Sequence, residues 1–249
     1  MSQSIRRAID LIRLSAERPL SLADAAEVLG VHKSTALRIL QTLQAERFVR
    51  KTGVGTYVFG SGLIELSELT LGSIDLRQHA GPILRTLQRR TGHTVHLAQL
   101  TGDEIIYIDK IDGPASKSFQ LPSRIGHAVS IYVTAVAKVI LAHLPRVERD
   151  RLLAHTVFTC HTPTTVRDRD ELEVELAAVR TRGWACDDGE LDSFIRCVAV
   201  PVRDPRGQVV AAISLTALEM VASLARLEEQ LPELFGAARA ISEDLGHAT

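Results

Sequence analysis

Three cysteines in 249 residues, with no Cys-x-x-Cys pair and no Cys/His spacing of the zinc type, leave no basis for a disulfide scaffold or a structural metal. No apolar stretch approaches the roughly 20 residues needed to cross a bilayer. The longest candidate, Ile125 to Ala137, is stopped by Lys138 and Pro145. Behind the basic pair Arg6-Arg7 no continuous apolar core follows, because Asp10, Arg13 and Glu17 interrupt at helical spacing, so no secretory leader is read here. P-loop, Gly-x-Ser-x-Gly and His-Glu-x-x-His motifs are all missing, and Gly53-Val54-Gly55 lacks the third glycine of a dinucleotide fingerprint. Together these absences read as a cytoplasmic chain that neither spans a membrane nor carries a cofactor or metal, and is not an enzyme.

What is present is ordinary in bulk and uneven in placement. With 45% hydrophobic and 24% charged side chains, disorder and collagen-like repeats are excluded. The length suits one or two domains with a sizeable core. Against a net charge of −1 for the whole chain, residues 1–62 hold nine Lys or Arg and five Asp or Glu, a surplus of four. The remainder holds 20 basic and 25 acidic residues, so a small basic module precedes a larger acidic one, and an anionic partner is expected for the first alone.

The basic module has the pattern of a winged helix-turn-helix. Ala8, Leu11, Ile12 and Leu14 recur near helical spacing, and the run stops before Pro19. Ser21-Leu22-Ala23-Asp24 has the form of a capping box that opens a second helix, closed near Leu29 by Gly30. A third helix starts near Lys33, which is the short connection this motif requires. Its Ala36, Ile39, Leu40 and Leu43 form an inward stripe, and Ser34, Arg38 and Gln41 fall on the other side. Lys33, Ser34 and Thr35 occupy the first turn, where a recognition helix meets phosphates and base edges. Arg38 and Gln41 are suited to bidentate contacts with guanine and adenine. Phe48 to Lys51 and Thr56 to Phe59 flank Thr52-Gly53-Val54-Gly55 as a hairpin, a wing that carries Arg50 and Lys51 to a phosphate backbone. The alternative from a different class is a small-molecule-binding interaction protein whose winged helix docks protein. Salt dependence separates the two, because neutralising phosphates releases counterions.

Gly60-Ser61-Gly62 reads as a break, followed by a helix whose Leu63, Ile64, Leu66, Leu69, Leu71 and Ile74 lie on more than one face. Such a helix needs several partners, and a second copy of the chain is the natural one for a reader of palindromic DNA. Beyond it helix and strand signals alternate. A helix runs to Thr91, strands run over 94–100 and 104–111, and another strand lies near 118–121. A helix over 134–144 comes next, then one over 168–182, strands over 184–187, 197–203 and 208–216, and a last helix over 219–245. The sum is an α+β domain with a mostly antiparallel sheet.

Several tempting residues have plain readings. His93 and His96 are three apart in a strand, point to opposite faces and do not chelate jointly. His155, His161 and Cys160 read as loop residues. Cys197, flanked by Val198 and Ala199, reads as buried wall, not as a reactive thiol. Asp187 and Asp188, adjacent in a strand, do not act on one substrate atom. Lys138 reads as a salt-bridge partner.

Six segments, in order, resemble the IclR family of bacterial transcriptional regulators: Arg7-Ala8-Ile9-Asp10-Leu11; Lys33 to Leu40; Thr94-Val95-His96-Leu97; Thr134-Ala135-Val136-Ala137-Lys138; Asp187-Asp188 with Ile195 to Ala199; and Ala211-Ala212-Ile213-Ser214. The resemblance implies a winged helix-turn-helix over 1–62, a linker helix over 63–76 and a GAF-like effector-binding domain over 77–249, assembled as a homodimer or a dimer of dimers on palindromic operator DNA. It implies a small organic effector, a carboxylate or aromatic acid, and a repressor. It places polar effector contacts at Ala135 and Val136 (backbone amides), Asp187, Cys197, Ser214 and Thr216, with Leu121, Val129 and Ile195 as apolar wall. Helix N-terminal amides suit a carboxylate, and Ser214 and Thr216, two apart in a strand, point the same way. The chain departs from the family pattern at Ser130-Ile131-Tyr132, Ala137 and Ser193-Phe194. Tyr132 and Ala137 are expected to reshape the pocket, and Phe194 to narrow its entrance.

Overall fold

The computed structural model describes residues 3–72, 75–114 and 121–247, and of residues 67–72 and 75 the backbone alone. The chain divides into two compact units, Met1–Ile74 and Asp75–Thr249.

In the first unit, α1 (Gln3–Glu17), α2 (Leu22–Leu29) and α3 (Lys33–Ala45) are followed by a hairpin of β1 (Val49–Lys51) and β2 (Tyr57–Phe59), and then by α4 (Ser61–Gly72). The capping box forms: the Asp24 N–H donates to Ser21 Oγ at 3.1 Å, and the Ser21 N–H to Asp24 Oδ2 at 2.9 Å. Gly30, at φ 60°, closes α2 in the left-handed conformation. Leu11, Leu20, Ala25, Ala36, Leu40, Leu43, Val49 and Tyr57 form the core. The hairpin is tied to it by reciprocal backbone bonds between Leu20 and Tyr57, at 2.8 and 2.7 Å. A module of about 60 residues buries little surface, so each such tie matters.

The break expected at 60–62 is instead the start of α4. Two residues past the end of α3 stands Arg47, a non-glycine residue at φ 61°. The Phe48 N–H donates back to the Leu43 carbonyl at 2.8 Å, as in a Schellman closure. The Arg47 carbonyl then points at the following chain and accepts from the Gly62 N–H at 2.9 Å. Gly60 and Gly62 are needed for this close approach, since a Cβ at Gly62 would stand 2.9 Å from the Glu46 oxygen and one at Gly60 would collide with the Arg47 carbonyl. Of the apolar residues expected on this helix, Ile64 and Leu66 are exposed and Leu63 is partly buried. The side chains of Leu69 and Leu71, and all of Ile74, lie outside the described residues.

The second unit contains α5 (Asp75–Thr91), β3 (Thr94–Thr101), β4 (Glu104–Ile111), α6 (Ala135–His143), α7 (Arg146–Leu153), α8 (Arg169–Arg182), β5 (Ala185–Asp188), β6 (Ile195–Arg203), β7 (Val209–Leu218), α9 (Leu224–Glu228) and α10 (Leu231–Asp244). The five strands form one sheet in the order β4-β3-β7-β6-β5, antiparallel at every pairing. Helices α6 and α8 cover one face over Ala98, Ala185, Ala199 and Ala212, small residues that let α6 lie close to the sheet. Alternation sends Leu97, Val198, Val200, Ile213 and Leu215 to the other face, and α5 and α10 pack against the same strands.

Two expectations need correction. The final helix expected over 219–245 is two helices, because Pro232 sits in the first turn of α10 and cannot continue a preceding helix. Helix α7 has no counterpart among the expected elements, because Arg146 to Leu153 is mostly charged and shows no apolar stripe; it buries only Arg149 and Leu153. Most of the strand expected near 118–121 lies outside the described residues, and Leu121 is in no strand.

Gly60→Ala is expected to destabilise the first unit by about 3 kcal/mol or more, because backbone and not a flexible side chain must move. Urea unfolding of the full chain, followed by circular dichroism, would show the first transition shifted. Unchanged unfolding would refute the close approach.

Candidate ligand pocket and nucleic-acid interface

The register of the sheet builds one polar patch on its α6 face. Asp187 on β5 stands opposite Cys197 on β6, Cys197 opposite Thr216 on β7, and Ser214 opposite His96 on β3. Residues directly opposite in a sheet share a face, so these five side chains converge. Thr216 Oγ1 lies 2.9 Å from Cys197 Sγ and 3.2 Å from His96 Nδ1, and His96 Nε2 lies 2.8 Å from Ser123 Oγ. Across this patch stands the N-terminus of α6. Its N-cap, Thr134, turns its hydroxyl back to donate to the Ser130 carbonyl at 2.8 Å, leaving the first-turn amides of α6 without a side-chain cap.

Between patch and helix end lies a cavity of about 190 Å³. At ~30 Å³ per water it has room for about six waters, the scale of a small metabolite. All nine residues expected at the effector site, Leu121, Val129, Ala135, Val136, Asp187, Ile195, Cys197, Ser214 and Thr216, line it. Sequence reasoning missed His96, Tyr107, Ser123 and Thr134, which line it too. His96 carried a signal, since it is the one polar residue within the apolar run Val95 to Ala98 of its strand. Tyr107 tilts against the His96 ring with centroids 4.8 Å apart.

Three departures from the family pattern act elsewhere than expected. Tyr132 does not line the cavity. Its hydroxyl donates to the Thr159 carbonyl and accepts from the Thr159 N–H, both at 2.9 Å, and so pins the segment after α7. Ala137 is fully buried in the core between α6 and the sheet. Phe194, 60% exposed, borders a separate depression with Leu218 and Met220.

Burial governs the electrostatics. It drives His96 down to about 3, leaving a neutral ring. It also pushes the Cys197 and Tyr107 protons up and lifts the Asp187 carboxyl to about 6, against the lowering effect of the Glu190 N–H, which donates to Asp187 Oδ1 at 2.7 Å. A neutral imidazole this hard to protonate is a poor general base for the neighbouring Ser123. The patch is built for hydrogen bonding. Beneath it Lys138, 1% exposed, forms an ion pair with Glu190. Among the described residues no group of three or more His, Cys, Asp or Glu is placed to hold a metal.

In the first unit, Ala36, Leu40 and Leu43 of α3 are buried, while Lys33, Ser34, Arg38 and Gln41 are exposed and Thr35 is partly so. His32, unremarked in the sequence, caps α3: its Nδ1 accepts from the Ser34 N–H at 3.4 Å and lies 2.9 Å from Ser34 Oγ. On the wing Arg50 and Lys51 are exposed, the Lys51 ammonium 5.8 Å from the Tyr57 ring centre.

Residues 4–53 match the IclR helix-turn-helix domain, and residues 68–243 the C-terminal domain of IclR bacterial transcriptional regulators. The chain belongs to the IclR family of bacterial transcriptional regulators. The HTH-type transcriptional regulator XynR of Escherichia coli strain K12 is 38% identical over 251 residues, spanning 98% of each chain. The regulator KdgR of the same strain is 34% identical over 94% of this chain and 89% of its own. The crystal structure of Thermotoga maritima IclR, 32% identical, superposes with a TM-score of 0.86 over 98% of both chains. No helix among the described residues is long and apolar enough to cross a membrane.

The raised Asp187 carboxyl has a consequence for stability. A carboxyl whose folded value, about 6, exceeds its ordinary 3.8 stabilises the fold below that ordinary value and loses the contribution as pH rises through 6. Relative to Asp187→Asn, the unmodified chain is therefore expected to lose up to about 3 kcal/mol between pH 4 and pH 7. Denaturation midpoints of the two proteins across that range should diverge, and parallel curves would rule out the shift.

Proposed function

We propose that this family member is a ligand-responsive DNA-binding regulator that reads a palindromic operator as a homodimer and senses a small carboxylate or aromatic acid. The observation that carries the reading is α3, which hides an apolar stripe and presents Lys33, Ser34, Thr35, Arg38 and Gln41 together on its outer side, with Arg50 and Lys51 on the adjoining wing. That is the arrangement of a helix that enters a major groove while the wing meets phosphate. Residues 1–62 are the DNA-binding domain in this reading, 63–76 the linker helix and 77–249 the effector domain. The exposed Ile64 and Leu66 of α4 support a role for the linker in pairing two copies.

The pocket supports the second half of the reading. Uncapped α6 amides at Ala135 and Val136 favour a carboxylate. Asp187, Cys197, Ser214 and Thr216 would hold the ligand's polar end, and Leu121, Val129 and Ile195 its apolar part. Ligand coupling of about 1–3 kcal/mol would change operator affinity roughly 5- to 150-fold. In this reading the chain acts as a repressor that the ligand releases from its operator. Nothing in the site demands an enzymatic step.

Fluorescence anisotropy with a duplex from upstream of the chain's own gene, against a scrambled duplex at two salt concentrations, tests this. Sequence-preferring binding that weakens steeply with salt is expected. Failure of the folded protein to bind either duplex, with and without small acids, would overturn it. Arg38→Ala should cost about 1–3 kcal/mol on the preferred duplex and little on the scrambled one. Lys51→Ala should weaken both alike and lower the salt slope by about one. Identical behaviour of the two variants would contradict the roles assigned.

A further inference from the structure

The charge balance of the pocket is set by two residues that do not line it. Lys138, Asp187 and Glu190 are 1%, 3% and 6% exposed. The Lys138 ammonium pairs with Glu190 Oε1 and donates to the Cys186 carbonyl at 3.1 Å, and the Glu190 N–H donates to Asp187. Glu190 Oε2 is buried and has no hydrogen-bond partner among the described residues. Two buried carboxylates thus face one buried ammonium.

The other charged or titratable groups around them leave that imbalance in place. Arg196 on β6 is held by Asp188 at 2.6 Å and Glu219 at 2.9 Å. Glu175 on α8 is held by Arg182 at 2.7 Å. Burial keeps the Cys186 and Cys197 thiols and the Tyr107 hydroxyl protonated, and His96 on β3 neutral. Lys110 on β4 pairs with Asp112 at 3.0 Å, and Arg124 and His127 stand exposed at the cavity rim, where water screens them.

We propose that the pocket takes up its acid together with a proton: as a carboxylate docks on the α6 amides, one proton moves from solvent onto the Asp187–Glu190 pair, and Glu190 is the positioning residue that sets this linkage. The proposal rests on the reading that the ligand is a carboxylate. Without the proton, three carboxylates would share one buried ammonium, and an uncompensated buried charge is strongly disfavoured. With it, two carboxylates share the ammonium as they do in the empty pocket, so docking adds no buried charge; no bond other than the O–H forms, and the proton comes from water or buffer. Burial already lifts Asp187 to about 6 and Glu190 to about 7. Uptake is therefore expected above neutrality, where the pair would otherwise be ionised, and not at pH 5.5, where it already holds the proton.

The full chain is titrated calorimetrically with formate, lactate, gluconate and benzoate at pH 5.5, 7.0 and 8.0. The tightest of the four is repeated at pH 8.0 in HEPES and in Tris, whose different ionisation enthalpies give the proton count. Affinity should weaken about fivefold from pH 7.0 to 8.0, with close to one proton bound per ligand at pH 8.0. In Glu190→Gln, which removes one carboxylate and keeps an acceptor for Lys138, the profile should flatten to less than about threefold and the proton count fall towards zero. An acid that binds the unmodified chain with no proton uptake overturns the proposal, as does undiminished uptake in Glu190→Gln. Should that variant not fold, Asp187→Asn is read the same way, and the proton count of the unmodified chain still decides. If none of the four acids binds at any pH, the acid-sensing reading itself fails and takes this inference with it.

Discussion

Lys138 is the constraint on which the second unit depends. An ammonium in the middle of an apolar helix, 1% exposed, is tolerable only if carboxylate and carbonyl partners reach it. The partners come from β5 and the loop after it: the Cys186 carbonyl, and Glu190. That requirement fixes the edge of the sheet against α6. It also places the Glu190 N–H where it holds Asp187 at the pocket floor. The loop is secured from the far side as well, since Thr162, Thr164 and Thr165 donate to carbonyls of Asp188, Gly189 and Glu190. The segment that carries those threonines is itself pinned by Tyr132, two residues before the α6 N-cap. The pocket is thus the space left when one buried charge has been satisfied.

This geometry separates what the sequence could reveal from what it could not. Period and caps are local, so the capping box at Ser21, the left-handed Gly30, the inward stripe of α3 and most strands were legible. Strand alternation made Ser214 and Thr216 neighbours on one face, and the resemblance supplied the rest of the pocket. The misses share a cause. Glu190 meets Lys138 across 52 residues and Tyr132 meets Thr159 across 27, and no local pattern encodes such a pairing. Gly60 and Gly62 were read as a helix break because glycine in sequence does not distinguish a flexible joint from a close backbone approach. The split between α9 and α10 was available from Pro232 and was overridden by the apolar period on either side.

The two units solve the polar-group problem in opposite ways. The first keeps its charges outside and buries a plain apolar core, with its helix ends closed by Ser21, Gly30 and His32. Its stability is local, and its exposed polar side chains are available for a partner. The second carries ionisable groups into its interior and leaves one helix end uncapped over a cavity. Such an arrangement forgoes stability that an apolar core would provide. It is the expected signature of a region shaped to complete its hydrogen bonding with a ligand.

The uncapped helix end and the carboxylate-rich floor oppose each other, since one favours an anion and the other repels it. The opposition resolves once the floor is treated as titratable. Helix amides offer a fixed partial positive charge that no proton can change. The Asp187–Glu190 pair offers a negative charge that a proton can remove, at a cost set by burial and by Lys138. In the proposed reading, a fixed attraction beside an adjustable repulsion makes the occupancy of the cavity depend on the proton as well as on the acid. Replacing the pair with apolar side chains would remove that dependence while leaving the amides in place.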